Sequence, residues 1–203
     1  MKCIFLDIGE VLMRKQDLRR GIKRLEKRFG VDPTIRYHAI WGIAPEMDSG
    51  KKTFQDAIDR INTQMKRKNK DYHPITIKDY YATMYDSKSY NIQLVNFFKK
   101  ISGRATICIF TNNYQTNIDK YMTLLDFGSW ADYVISSHQY HIGKPDAKFF
   151  RIAFKKTRAK PQECMLVDDN PANIATAEAL GMHVCLHSNN ARTIREITAW
   201  LKD

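Results

Sequence analysis

No run of about 18 apolar residues occurs in this 203-residue sequence, so nothing in it reads as a membrane-spanning helix. Its four cysteines, Cys3, Cys108, Cys164 and Cys185, form no CxxC pair and stand in no cluster with histidine, which excludes the usual zinc-ligand spacings. Zinc-finger, RNA-binding aromatic and basic-zipper patterns are absent, as are internal repeats and low-complexity segments. The opening Met1-Lys2-Cys3-Ile4-Phe5-Leu6-Asp7 is too short and too acidic at its end for a signal peptide, and reads as a first strand. Each cysteine lies in or beside a short apolar run, where a thiol serves as a small buried hydrophobe. A reducing, cytoplasmic setting without membrane partners is the expectation.

Hydrophobic residues make up 43% of the chain, enough for a sizeable core, and charged residues 27%. Basic residues exceed acidic ones, 33 to 22, giving a net charge of +11. Such an excess suits an anionic partner, whether phosphorylated metabolite, nucleic acid or lipid surface, without choosing among them. It is uneven: residues 14–90 hold about 18 Lys/Arg against about 10 Asp/Glu. Arg19, Arg20, Lys23, Arg24, Lys27 and Arg28 crowd one segment, and Lys66, Arg67, Lys68 and Lys70 another. Residues 20, 23/24 and 27 would gather on one helix face. A solvated surface accounts for such charges; a polyanion-docking face is the alternative, and a nucleic-acid partner has no motif behind it.

Short apolar runs without alternation recur at Cys3–Leu6, Thr106–Phe110, Tyr133–Ile135, Met165–Val167 and His183–Leu186, as strands buried on both faces do. From residue 91 onward, helix-like segments at Asn91–Ser102, Asp146–Thr157, Pro171–Leu180 and Ala191–Leu201 separate them. This alternation predicts an α/β fold with a doubly wound parallel sheet. Between the first two strands the sequence is mostly helical. Leu18, Ile22, Leu25 and Phe29 form a stripe stopped by Gly30; Phe54, Ala57, Ile58 and Ile61 form a second; Tyr80, Tyr81 and Met84 suggest a third helix opening near Thr76. Lys66–Lys70 reads as a charged link. The expected organisation is an α/β core, residues 1–13 and 91–203, with residues 14–90 inserted as a helical cap.

In an open parallel sheet, ligands bind beyond the carboxyl ends of the strands. Those ends carry Asp7-Ile8-Gly9-Glu10, Thr111-Asn112-Asn113, Gly143-Lys144-Pro145-Asp146 and Asp168-Asp169-Asn170-Pro171. Singly, each is an ordinary turn or helix start. Together they place carboxylates, a hydroxyl and a lysine on one edge, the groups that phosphoryl transfer requires. A carboxylate attacks phosphorus, a divalent cation reconciles two anions, and lysine and hydroxyl hold the remaining oxygens.

These four segments resemble the haloacid dehalogenase (HAD) superfamily, in the branch with a helical cap after the first motif. Phe5–Leu12 resembles motif one, Ile109–Asn112 motif two, Gly143–Asp146 with Phe149-Phe150 motif three, and Val167–Ile174 continuing to Met182 motif four. Asp48–Phe54 is similar, more loosely, to the family's cap turn. The resemblance implies a Rossmann-type core and a Mg²⁺-dependent phosphatase acting on a small anionic phosphorylated substrate, a sugar phosphate or nucleotide. Asp7 would be the nucleophile, Thr111 and the Asn112 backbone the phosphate binders, and Lys144 the group that steadies both. Asp169 would be the direct metal ligand beside Asp7, assisted by Asp168 and the Gly9 carbonyl. The chain departs from the family at Gly9, where an acid/base aspartate normally stands, as also in members resembling α-glucose-1-phosphate phosphatases. Glu10 or His38 is the candidate substitute. The alternatives are a catalytically weak scaffold that binds phosphate or a polyanion, and a dehalogenase. His138 and His141, ahead of Lys144, read as loop-packing residues or substrate contacts.

Overall fold

The computed structural model describes residues 1–85 and 89–202, apart from the side chains of residues 15–18 and of Asp48. Leu18 and Asp48, both used above, therefore have side chains outside the described set. The five apolar runs are strands: β1 (Cys3–Leu6), β2 (Thr106–Thr111), β3 (Tyr133–Ser136), β4 (Cys164–Asp168) and β5 (His183–Leu186). All pair in parallel, in the order β3-β2-β1-β4-β5. Their lack of alternation has a simple cause: both faces are covered. Ile4, Leu6, Ile107, Ile109 and Val167 enter one core, while Phe5, Cys108, Phe110 and Leu166 enter the other. All four cysteines are buried free thiols.

The helices are α1 (Lys15–Phe29), α2 (Pro33–Trp41), α3 (Ala44–Asp48), α4 (Phe54–Lys68), α5 (Ile77–Met84), α6 (Ile92–Ile101), α7 (Gln115–Leu124), α8 (Ala147–Thr157), α9 (Pro171–Ala179) and α10 (Asn190–Trp200). Residues of α6, α7 and α10 cover the first sheet face, and those of α8 and α9 the second. The first five, all between β1 and β2, share a separate apolar core that includes Leu25, Ile40, Phe54, Ile58, Ile61, Tyr80 and Met84. The chain enters and leaves this segment side by side: Met13 and Tyr90 form an antiparallel bridge, and Asn91 N–H donates to Leu12 O at 2.8 Å.

Local signals explain the helix ends. Gly30 closes α1 at φ 66°, a left-handed turn in which its N–H reaches Glu26 O. Thr53 with Asp56, and Thr76 with Asp79, form reciprocal capping boxes that open α4 and α5. Lys66–Lys68 are the last turn of α4 rather than a link, held in helix because Met65 on the opposite face is buried. Arg24 leaves the expected basic face of α1; its Nε donates to Thr83 O at 2.8 Å, at the carboxyl end of α5. α1 and α5 meet closely at Gly21, where a Cβ would lie 2.3 Å from Met84 O. Among the described residues no helix is long and apolar enough to cross a membrane.

Candidate active site

The strand order reverses direction at β1: β2 and β3 extend the sheet one way and β4 returns to its other side. That reversal opens a crevice beyond the carboxyl ends of β1 and β4. Leu6 is in register with Val167, and Asp7 N–H donates to Val167 O at 3.0 Å, so backbone pairing alone sets Asp7 beside Asp168.

Lys144 stands between them. Its Nζ lies 2.8 Å from Asp7 Oδ1 and 2.6 Å from Asp168 Oδ2, with Lys144 and Asp168 almost wholly buried. Burial alone would push the lysine pKa down, but the charges of Asp7 and Asp168 outweigh it and hold the pKa above its ordinary value. Asp168 is fully engaged: it also accepts Asn173 Nδ2 at 3.0 Å and Asn170 N–H at 2.9 Å. Asp169 is only half-buried. Burial first, then the neighbouring Asp7 and Asp168, push its pKa up to about 6. Burial likewise raises Asp7, against the pull of Lys144.

Ligand oxygens of Asp7, Asp168 and Asp169 all lie within 4.8 Å of one another. Three carboxylates against one ammonium leave two negative charges unmatched, and the donors are all hard oxygens. That combination fits Mg²⁺. With Asp168 committed to Lys144 and Asn173, the freer carboxylates are Asp7 and Asp169.

The loop before α8 is locked by Asn112. Its Nδ2 donates to Lys144 O at 2.7 Å, and its Oδ1 accepts Lys144 N–H at 2.8 Å. Gly143 permits this approach, since a Cβ there would sit 2.6 Å from Asn112 Oδ1. The Asn112 side chain thus positions the lysine and leaves only backbone for a ligand. Thr111, buried at the end of β2, borders the same open pocket of about 380 Å³ as Asp7, Lys144 and Asp169.

A second cavity, of about 280 Å³, adjoins the first through Gly9, Asn112 and Asn113. Its far walls belong to the helical segment: Arg36, Ile40, Trp41, Met47, Tyr80 and Tyr85. Glu10 borders it, held at φ 53°, a left-handed conformation costing a non-glycine residue about 1–2 kcal/mol. The Glu10 charge contributes to the raised pKa of Asp169. His38 is exposed and does not line the cavity. His138 packs into its loop, its Nδ1 near Asn113 O and Ser136 Oγ, while His141 meets Ser49 O across from the helical segment. Gly50 makes room there, since a Cβ would lie 2.9 Å from the His141 ring.

Several contributors were not visible as such in the sequence. Asn173 stands in the fourth motif, but only the fold of α9 turns its amide onto Asp168. Tyr81 donates to Asn117 at 2.7 Å and Asn117 to Asn113 at 2.8 Å, a chain from α5 to the loop after β2. Arg36 had no signal beyond being one basic residue among many.

The family model of the haloacid dehalogenase-like hydrolases matches residues 1–181. Among curated relatives, rat bifunctional epoxide hydrolase 2 is 22% identical over 77% of this chain and 30% of its own length. Drimenol cyclase drtB of Aspergillus calidoustus is 22% identical over 98% of this chain and 36% of its own. The chain thus spans about a third of these relatives. Among solved structures, a HAD family enzyme of Bacteroides thetaiotaomicron, in complex with magnesium and inorganic phosphate, aligns with a TM-score of 0.73 at 16% identity, covering 93% of this chain and 94% of that one. A HAD-like hydrolase of Porphyromonas gingivalis gives 0.67 at 23% identity, covering 100% and 98%. Motifs, sheet order and family match agree: this chain belongs to the haloacid dehalogenase-like hydrolases.

Proposed function

We propose that this protein is a Mg²⁺-dependent phosphomonoesterase acting on a small phosphorylated metabolite through a covalent phospho-intermediate on Asp7. One observation carries the reading. A single buried ammonium, Lys144, faces three carboxylates within 4.8 Å of one another, leaving a charge deficit that a divalent cation fits. Asp7, Asp169 and the Gly9 carbonyl would hold the ion, which supplies charge neutralisation so that carboxylate and phosphate can approach.

Asp7 attacks phosphorus, and the ester bond to the leaving oxygen breaks. Lys144 and Thr111 hold the phosphoryl oxygens, and the Asn112 clamp keeps Lys144 in place. Water then cleaves the acyl phosphate, releasing phosphate and restoring Asp7. Gly9 brings no carboxylate to either step. Glu10 borders the cavity where the leaving oxygen would depart, which supports it as the candidate to give and take that proton. In this reading residues 14–90 act as a cap that closes over the pocket. The metal-fitting charge deficit disfavours a dehalogenase, whose displacement of halide needs no divalent cation.

The test is phosphate release over sugar phosphates, nucleotides and an activated aryl phosphate, comparing wild type and Asp7→Asn, each with Mg²⁺ and with chelator. Turnover that requires both Mg²⁺ and Asp7 supports the proposal. A folded, Mg²⁺-binding protein that releases no phosphate from any of them sinks it, and leaves a phosphate-binding scaffold as the reading. Gly9→Asp separates slow chemistry from absent chemistry. Its Cβ would stand 3.3 Å from Asp7 Oδ2, a contact that small adjustments relieve, and a restored general acid/base is worth about 10²–10⁴ in rate.

A further inference from the structure

The second cavity contains a buried cation with no ion-pair partner among the described residues. Arg36, on α2, is only 5% exposed. Its Nε and Nη2 both donate to Tyr80 Oη, at 3.0 and 2.5 Å, and its Nη1 has no partner among the described residues. Tyr80 supplies no counter-charge, because burial raises its pKa and keeps the phenol neutral. No carboxylate lies within ion-pair distance of Arg36 among the described residues, although Glu10 and Arg14 also line the cavity. An unpaired buried charge is destabilising. The guanidinium lines an aromatic chamber formed with Tyr80, Tyr85, Tyr114 and Tyr121, which opens onto the Asp7 pocket.

We propose that the substrate carries a second anionic group, a carboxylate or a second phosphate, which Arg36 receives while the first phosphate lies at Asp7 and Lys144. The inference rests on the phosphatase reading only for the placement of that first phosphate. A guanidinium keeps its charge in such a chamber, and the N–H groups of one free nitrogen can receive either oxyanion. Tyr80 accepts from Nε and Nη2 on one oxygen, which leaves the N–H groups of Nη1 for a ligand. A neutral leaving group would fill the aromatic chamber yet leave the cation unmatched, so the site discriminates against it. The substrate class is therefore a bis-anion whose two charged ends are joined by a short, largely apolar or ring-shaped spacer.

Two measurements test this, and they fail independently of the phosphatase reading. The first is calorimetric binding, with Mg²⁺ present, of inorganic phosphate, alkylphosphonates, and ω-carboxyalkyl- and bisphosphonates of increasing chain length. Wild type is expected to bind one length of bis-anion about 10²-fold more tightly than the neutral-tailed phosphonate. Arg36→Met is expected to abolish that advantage, Arg36→Lys to restore part of it, and phosphate binding to be unchanged in both. The carboxylate and phosphonate series, compared at equal length, say which anion Arg36 takes. The second is kcat/KM on the corresponding alkyl and ω-carboxyalkyl phosphates, where Arg36→Met should reduce only the anionic member. Bis-anion preference without turnover leaves the inference standing and removes the phosphatase reading. Equal binding of neutral and anionic tails by wild type overturns the inference. So does an Arg36→Met variant that lowers Tm and weakens phosphate and bis-anions alike, which would make Arg36 a structural partner of Tyr80.

Discussion

The crevice at the sheet edge and the chamber under the helical segment adjoin, yet they are built by opposite rules. At the sheet edge the groups engage one another closely, with the surplus negative charge left for a cation: Lys144 contacts two carboxylates, and Asp168 accepts from three donors. Asp7 and Asp168 sit at strand ends and Asn173 on the first turn of α9, so strand register sets their spacing, while Lys144 reaches them from the loop before α8, held by Asn112. The chamber walls are rich in rings, and the buried cation among them, Arg36, has no ion-pair partner among the described residues. Chemistry common to many substrates calls for the first arrangement, preorganised by rigid strands. Discrimination among substrates calls for the second, where one unmet charge makes the wrong ligand costly.

The largest test of this contrast is to remove a cation from each side. Lys144→Met should cost about 3–5 kcal/mol in urea denaturation, because it strands Asp7 and Asp168 together in a buried site. Arg36→Met should cost far less, having no ion pair to break; equal losses would erase the distinction. Next in size, Gly21→Ala should cost about 1–3 kcal/mol, since its Cβ would overlap Met84 O. Hydrogen exchange should accelerate in α1 and α5 while the β1 and β4 amides stay protected. Acceleration throughout would mean that the two regions unfold as one. Asn173→Ala should cost about 1–3 kcal/mol by stripping a donor from the buried Asp168 carboxylate, and should leave the chamber's ligand preference unaltered.

The smallest expected effect is one of pH. Asp169 titrates at about 6 in the folded protein against an ordinary 3.8. An acid whose folded pKa is raised holds its proton more tightly when folded. Its contribution is therefore present below pH 4 or so and is lost as pH rises through about 6. Without metal, Tm should fall between about pH 4 and 6; Asp169→Asn or saturating Mg²⁺ should flatten that fall. Metal affinity should climb over the same interval, because binding releases the proton. A metal-free Tm slope that Asp169→Asn leaves unchanged would place the titration elsewhere.

Much of the sheet was legible because a strand buried on both faces must be continuously apolar, and because the site's carboxylates and Thr111 lie at strands' carboxyl ends. Cys3–Leu6 and Met165–Val167 declared themselves, and Asp7 and Asp168 came with them. The capping boxes at Thr53 and Thr76 were equally local. Less could be read where an element depends on remote partners. α2 carries an Asp32 cap and Pro33, yet its apolar positions make no stripe, so it went unmarked. α7 is likewise weakly amphipathic, its buried face including Asn117. Arg24 looked like one more surface charge until α5 placed carbonyls within its reach.

The sequence by itself determined the five strands, the helices with a clear apolar stripe, the four motif segments and hence the family's oxygen-rich, lysine-bearing edge, because periodicity and strand ends are local properties of the chain. The tertiary structure alone decided which groups are spoken for. Asn112 became a clamp for Lys144, Asp168 a fully engaged carboxylate, His38 a bystander and Arg36 a buried cation. Whether a charge is matched depends on desolvation and on neighbours dozens of residues away, and only the closed packing of helices against the sheet sets those.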